Sequence, residues 1–352
     1  RLERQVKQLK NTEYLGKMNG AVGNYNAQGT GKSSAVGWSV NKVNRIMPRS
    51  VTSVTGTTFG QLLTRTLPST FKFLQSIGYK QHSSKEDPGN YVIGQKPPKH
   101  FLRPYESIMK HENIISFANG NALILFSQDR AGSARGPNVD FEIVDEALTL
   151  NKKRYDEETS PTNRGNEDKW GSLSTSPVPI HHGFHYVSSM PYTAEQKWLL
   201  DYSKYYEEER GIRILEVWNR IVNLQVQLID AKKENNPGMF RDIWNETIRL
   251  RKQIAPFVSK SGLLFTLANA LDNVKHVCFS DIMREYEKQT LLTFMVEIMN
   301  MVVDVVEDCY YSIDTRKHVY YDSFDDKFLR DYAENTNWDF QKLGSPDSRF
   351  DK

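Results

Sequence analysis

Apolar residues fall in short, nearly continuous blocks over the first half of the chain and recur at three- and four-residue spacing over the second. The first pattern predicts strands between helices, the second long helices. Ala35, Val36, Val40, Val43 and Ile46 mark an opening helix, and Ser50 to Thr55, β-branched and closed by Gly56, predicts a strand. Over Gln61 to Ile77 a stripe of Leu62, Leu63, Leu67, Phe71, Leu74 and Ile77 predicts a helix broken once by Pro68. The polar stretch from Tyr79 to Arg103 shows no ordered pattern. Ile114–Phe117 and Ala122–Phe126 flank Ala118-Asn119-Gly120-Asn121, and Asn-Gly between two such runs is a strong hairpin signal. Phe141 to Ala147 reads as an apolar strand ending in two carboxylates, and Phe184 to Ser188 as another. Strand, helix, strand and helix in alternation predict a parallel α/β sheet.

Beyond Tyr192 the predicted elements are long helices. Ile214, Trp218, Ile221, Gln225 and Leu228 share one face of a helix stopped by Asn235-Asn236-Pro237-Gly238. Phe240, Ile243, Trp244, Thr247, Ile248 and Ile254 mark the next, ending at Pro256, and Tyr286 to Met299 a third. All three stripes are expected to form core. A short charged helix from Asn151 leads into Ser160–Gly183, rich in Ser, Thr, Pro, Asn and Gly, which is expected to be a long mobile loop. Residues 1 to 19 are expected to form a short surface helix, with Gln5 and Gln8 as weak candidates for touching a base.

Composition adds bounds. At 352 residues the chain can bury a sizeable core in two or three domains or in one large domain with an insertion, and 38% hydrophobic with 25% charged residues describes a globular protein. A net charge of +3 neither demands nor excludes a nucleic-acid partner. Two cysteines, Cys278 and Cys309, are too few for a disulfide framework and suit a reducing cytoplasm. No apolar run approaches the ~18 residues of a membrane span. The chain begins at Arg1 and is expected to be a piece of a longer protein.

The candidate chemistry lies in two stretches. Asn26-Ala27-Gln28-Gly29-Thr30-Gly31-Lys32-Ser33, continued by Ser34, has the make-up of a phosphate-binding loop. Small residues let consecutive backbone N–H groups reach the phosphates, a lysine supplies charge, and a hydroxyl meets Mg²⁺. The helix that follows would point its positive end at the phosphates. The strand expected before the loop, Gly20 to Tyr25, is weakly patterned. The second stretch is Asp145-Glu146. A buried parallel strand delivers its last residues to the carboxyl edge of the sheet beside such a loop. There one carboxylate can hold Mg²⁺ and the next can orient or deprotonate the attacking water. His181, His182 and His185 read as loop histidines rather than ligands, because no convergent ligand set accompanies them. Asp322, Asp325, Asp326, Asp339 and Asp347 in the tail have no metal-site spacing.

Phosphate loop, Asn-Gly hairpin, Ser133-Ala134-Arg135-Gly136, Ile143-Val144-Asp145-Glu146-Ala147 and Ser188-Ser189-Met190-Pro191, in that order, resemble the ATPase domain of the large terminase subunit of tailed bacteriophages. The resemblance spans most of residues 20 to 195 and extends loosely to about 330. It implies a P-loop NTPase of ASCE type, a mainly parallel sheet flanked by helices, with an ATPase core over 1–198, a helical lid over 199–314 and a linker over 315–352. The nuclease domain that normally follows in that family is not recognisable. The resemblance further implies ATP and Mg²⁺ as ligands, Lys32 on phosphate, Ser33 and Asp145 on the metal, and Glu146 as the catalytic carboxylate. Arg135 matches an arginine that some members insert into a neighbour's site, and Ser188 and Ser189 match a motif coupling hydrolysis to movement. Implied partners are double-stranded DNA, a portal protein, a small terminase subunit and further copies in a ring, in the host cell cytoplasm and without a membrane. Asn26 departs from the usual glycine and Gln28 from a frequent arginine. Another DNA-translocating P-loop ATPase or helicase, or a non-hydrolysing nucleotide-gated scaffold, are the alternatives.

Overall fold

The computed structural model describes residues 32–129, 137–171, 178, 180–191, 194–273 and 278–303. Its centre is a six-stranded sheet made of β1 (Val51–Gly56), β2 (Tyr91–Ile93), β3 (Ile114–Phe117), β4 (Ala122–Ser127), β5 (Phe141–Asp145) and β6 (Gly183–Val187). The spatial order is β2-β3-β4-β1-β5-β6. β4, β1, β5 and β6 run parallel, and β2 and β3 extend the sheet antiparallel beyond β4. Helices flank this mixed, mostly parallel α/β sheet. β1, β4 and β5 are buried at every position, as strands covered on both faces must be.

Helix α1 (Lys32–Ile46) and helix α2 (Leu67–Ser76) cover one face of the sheet. Val36, Val40, Val43, Leu67, Phe71 and Leu74 form a single apolar cluster there with Val54, Ile143 and Val187. Met47 completes the buried stripe of α1, whereas Ile46 remains 42% exposed.

Pro68 does not break the helix over 59–76. It occupies the first turn of α2, where its missing N–H costs little, and a π-helical turn, Leu62–Thr66, precedes it. In that turn the Leu67 N–H reaches back to the Leu62 carbonyl. The hairpin turn is held by Phe117 N–H to Asn121 O at 2.8 Å. Gly120 adopts φ +87° there, and a Cβ would lie 3.0 Å from the Arg103 carbonyl, so only glycine fits.

The other face of β5 meets α3 (Ser203–Arg210), α4 (Ile214–Lys233), α5 (Pro237–Gln253) and α6 (Phe279–Lys288) through a second cluster that joins Val144 and Leu148 to Trp218, Ile221 and Phe294. Trp218 is fully buried and donates to Asn300 O at 2.6 Å, while buried Gln225 accepts from Asn269 Nδ2 at 2.6 Å. The Trp218 ring N–H and the Gln225 side-chain oxygen thus have partners in an apolar setting. Asn236 N-caps α5, its side chain accepting from Met239 N, with Pro237 in the first turn.

Three further expectations are corrected. α5 buries Thr247 and Leu250 and leaves Trp244 47% and Ile248 38% exposed, so the Phe240-Trp244-Ile248 stripe faces away from the core. The third helix is interrupted rather than continuous: α6 starts earlier and stops at Lys288, Gln289 turns extended, and Thr290 caps a new helical segment, Leu291–Thr293, that runs on into a π-helical turn over Phe294–Ile298. The stretch after Ser160 is tied down in part: Val139 N–H bonds Thr162 O, and Gly165 N–H bonds Val139 O. Buried Asp140 accepts from Val51 N–H and from Asn166 N–H, each at 2.7 Å, stapling β1, β5 and this segment at the amino edge of the sheet. Among the described residues, no helix is long and apolar enough to cross a membrane.

Candidate functional site

Everything at the carboxyl edge follows from the direction of α1. The chain leaves α1 at Ile46 and enters β1 at Val51, so the helix runs back against the parallel strands. Near its end, Asn44 O accepts from Asn119 in the turn that precedes β4, at the amino edge. Its middle meets β6, where Ser39 Oγ and His185 Nδ1 are 2.7 Å apart. At about 1.5 Å per residue, the helix start therefore lies roughly 10 Å beyond the His185 level, toward the carboxyl edge. Lys32 and Ser33 are its first two residues, and Ser34 is exposed on its first turn. Asn26 to Gly31 and Arg135 lie outside the described residues.

β5 brings Asp145 and Glu146 to the same edge. Alternation puts Ile143 and Asp145 on the α1 and α2 face, and Glu142 and Val144 on the other. Asp145 is buried and its Oδ2 accepts from Thr66 Oγ1 at 2.5 Å, from the π-helical turn before α2. Glu146 departs from the strand into a left-handed conformation, φ 52° and ψ 49°, which costs on the order of 1 kcal/mol or more for a non-glycine residue. That kink ends pairing and starts a short helical turn, Ala147–Thr149. Thr149 N–H and Oγ1 both donate to Glu146 O, at 2.8 and 2.7 Å.

The end of β6 completes the cluster. Ser188 Oγ accepts from Leu148 N–H at 3.1 Å, and Ser189 Oγ lies 3.4 Å from Glu146 Oε2 as donor. The structure thus brings together Asp145, Glu146, Ser188 and Ser189, each proposed from sequence. It adds Thr66, which sequence reasoning missed; a threonine inside a helical stripe carries no signal that separates it from packing.

The donors suit a hard divalent cation: a buried carboxylate oriented by a hydroxyl is an oxygen ligand of the kind Mg²⁺ takes. The His181 and His182 rings lie tilted to each other with centres 4.1 Å apart, whereas His185 points to α1. Burial, then the His182 charge, lowers the His181 pKa. No three His, Cys, Asp or Glu side chains among the described residues are placed to share a metal. Cys278 is exposed.

No protein-family model matches the chain, and no curated protein does. Among solved structures it is similar to the large terminase ATPase domain of Thermus phage P74-26, with 15% identity and a TM-score of 0.38, covering 84% of this chain and 92% of that one. A point mutant of the same domain gives 14% identity and the same TM-score and coverage. A large terminase from a thermophilic bacteriophage gives 15% identity and a TM-score of 0.33, over 57% of this chain and 43% of that one.

Proposed function

We propose that this chain is the ATP-hydrolysing motor domain of a viral DNA-packaging machine, the large terminase subunit, and that it moves double-stranded DNA into a procapsid. The observation that carries the reading is the convergence at one sheet edge of the helix opened by Lys32-Ser33 and the Asp145-Glu146 pair at the end of β5. In this reading residues 26–34 wrap the phosphates, and Lys32 neutralises charge on the β- and γ-phosphates. Ser33 and Asp145 would hold Mg²⁺, which supplies Lewis-acid charge stabilisation when bound. Glu146 orients the attacking water and accepts its proton. Ser188 and Ser189, which bond Leu148 and Glu146, would couple hydrolysis to movement. Arg135 from a neighbouring copy stabilises charge on the transferred phosphoryl group, which makes a ring of copies the active form. DNA, a portal protein and a small terminase subunit are the partners this reading requires, with residues 1–198 as the ATPase core, 199–314 as a lid and 315–352 as a linker, working in the host cytoplasm.

Phosphate release by the purified protein, with and without duplex DNA, tests the reading; no release under either condition favours a nucleotide-gated scaffold instead. Lys32→Ala should abolish calorimetric ATP binding, since no other lysine stands in the loop. Equal affinity in the variant would move the nucleotide elsewhere. Thr66→Val, nearly the same shape, should raise the Mg²⁺ needed for half-maximal turnover by about tenfold, as losses of supporting hydrogen bonds to metal ligands do. An unchanged magnesium titration would leave Thr66 a packing residue.

A further inference from the structure

We propose that His185 is a positioning residue: through its hydrogen bond to Ser39 it fixes β6 against the helix that opens with Lys32, and so sets where Ser188 and Ser189 hold the Glu146 turn. The inference rests on the reading of Glu146 as the water-orienting carboxylate, and it concerns residues that no phosphate loop or acidic-pair motif includes.

Serine inside a helix ordinarily bonds its own backbone one turn back or faces water. Ser39 does neither: it is 4% exposed and its hydroxyl lies 2.7 Å from His185 Nδ1. Alternation along β6 places His185 and Val187 on the α1 face, and Val187 belongs to the apolar cluster that α1 seals. Burial, helped by the Lys42 charge, holds the His185 pKa down at about 4, so the ring is neutral near pH 7 and its Nδ1 can accept from the Ser39 hydroxyl. This contact is directional, whereas the valines around it permit sliding. Two residues past Val187, Ser189 donates to Glu146, and Ser188 accepts from Leu148. β6 is therefore a strut with one polar tie to the phosphate-loop helix and two to the catalytic turn. Because β6 also pairs with β5 from Phe141↔Gly183 to Asp145↔Val187, a displaced β6 shifts the Glu146 turn before it shifts the nucleotide.

The test compares Ser39→Ala, His185→Phe, His185→Asn and the Ser39→Ala/His185→Phe double variant with the parent, in the full chain. Ser39→Ala and His185→Phe should each lower kcat by about tenfold while calorimetric ATP affinity stays within about twofold, the pattern of misplacement rather than lost binding. The double variant should be no worse than either single one. His185→Asn, whose amide reaches the Nδ1 position, should recover most of the rate. A second readout needs no turnover: the Leu148 amide should exchange its hydrogen faster in Ser39→Ala and His185→Phe than in the parent. A parent that never hydrolyses ATP overturns the proposed function, yet the Leu148 exchange still decides the strut. Parent kcat and parent Leu148 exchange in Ser39→Ala, which removes one oxygen from a helix and keeps the fold should His185→Phe fail to fold, would overturn the inference. Lost ATP affinity at unchanged kcat would overturn it as well.

Discussion

Glu146→Gln should bind ATP as the parent does and release phosphate about a thousandfold more slowly, within the range that removal of a general base produces. The glutamine amide keeps the shape and can hold a water, but it cannot take the proton that the water must lose on attacking the γ-phosphate. The backbone already aims this side chain: φ 52° turns it out of the strand, and Ser189 Oγ stands 3.4 Å from its Oε2. Asp145 points instead to the α2 side and receives the Thr66 hydroxyl, so Asp145→Asn should weaken Mg²⁺-dependent nucleotide binding before it touches the chemical step. Calorimetry with and without Mg²⁺, beside single-turnover phosphate release, separates the two. Should both variants turn over at the parent rate, the acidic pair is only a strand end.

The difference between the two carboxylates was readable in part before the fold was known. An apolar run ending in Asp-Glu is a strand delivering charge to a sheet edge, and β5 does end at Asp145. The left-handed turn at Glu146 was not readable, because the hydrogen bond that ties it down, Leu148 N–H to Ser188, comes from a segment 40 positions away. Thr66 was invisible for the same reason: its partner Asp145 is 79 positions along the chain. His185 stood in view as one of three histidines. That it faces a helix rather than solvent depends on β6 joining the sheet beside β5, which its own pattern does not specify.

Helix faces show a related ambiguity. Along α5, both Ile243-Thr247-Leu250-Ile254 and Phe240-Trp244-Ile248 have helical spacing, so nearly half the circumference is apolar or neutral. Spacing alone cannot choose between them. The choice is made by α4, whose buried stripe from Ile214 to Ala231 leaves room for the first and turns the second outward. Where only one stripe existed, as at Trp218, Ile221, Gln225 and Leu228, pattern and packing agree.

Glu142→Gln should make the protein more stable at pH 8 than the parent, and the advantage should shrink as the pH falls toward 4.5. Glu142 is 1% exposed in the middle of β5, on the face opposite Asp145. Burial pushes its carboxyl up from 4.5 to about 7, against the opposing effect of Tyr155, whose hydroxyl donates to Oε2 at 2.7 Å and lies 2.8 Å from the Tyr186 hydroxyl. The second oxygen, Oε1, has no partner, and neither has the hydroxyl of Ser53, its register neighbour on β1. An unpartnered charge is costly there, whereas a protonated carboxyl has a donor to offer. The folded state holds this proton more tightly than the unfolded chain does. Its contribution to stability is thus fully present below pH 4.5 and lost as the pH rises through 7, by roughly 3 kcal/mol in all. Glutamine is uncharged at every pH and still accepts from Tyr155, so the variant escapes this loss. Other titrating groups cancel when variant and parent are compared by urea denaturation at each pH from 4.5 to 8. A variant-minus-parent difference that stays flat across that window would show that Glu142 is already ionised, or already neutral, throughout.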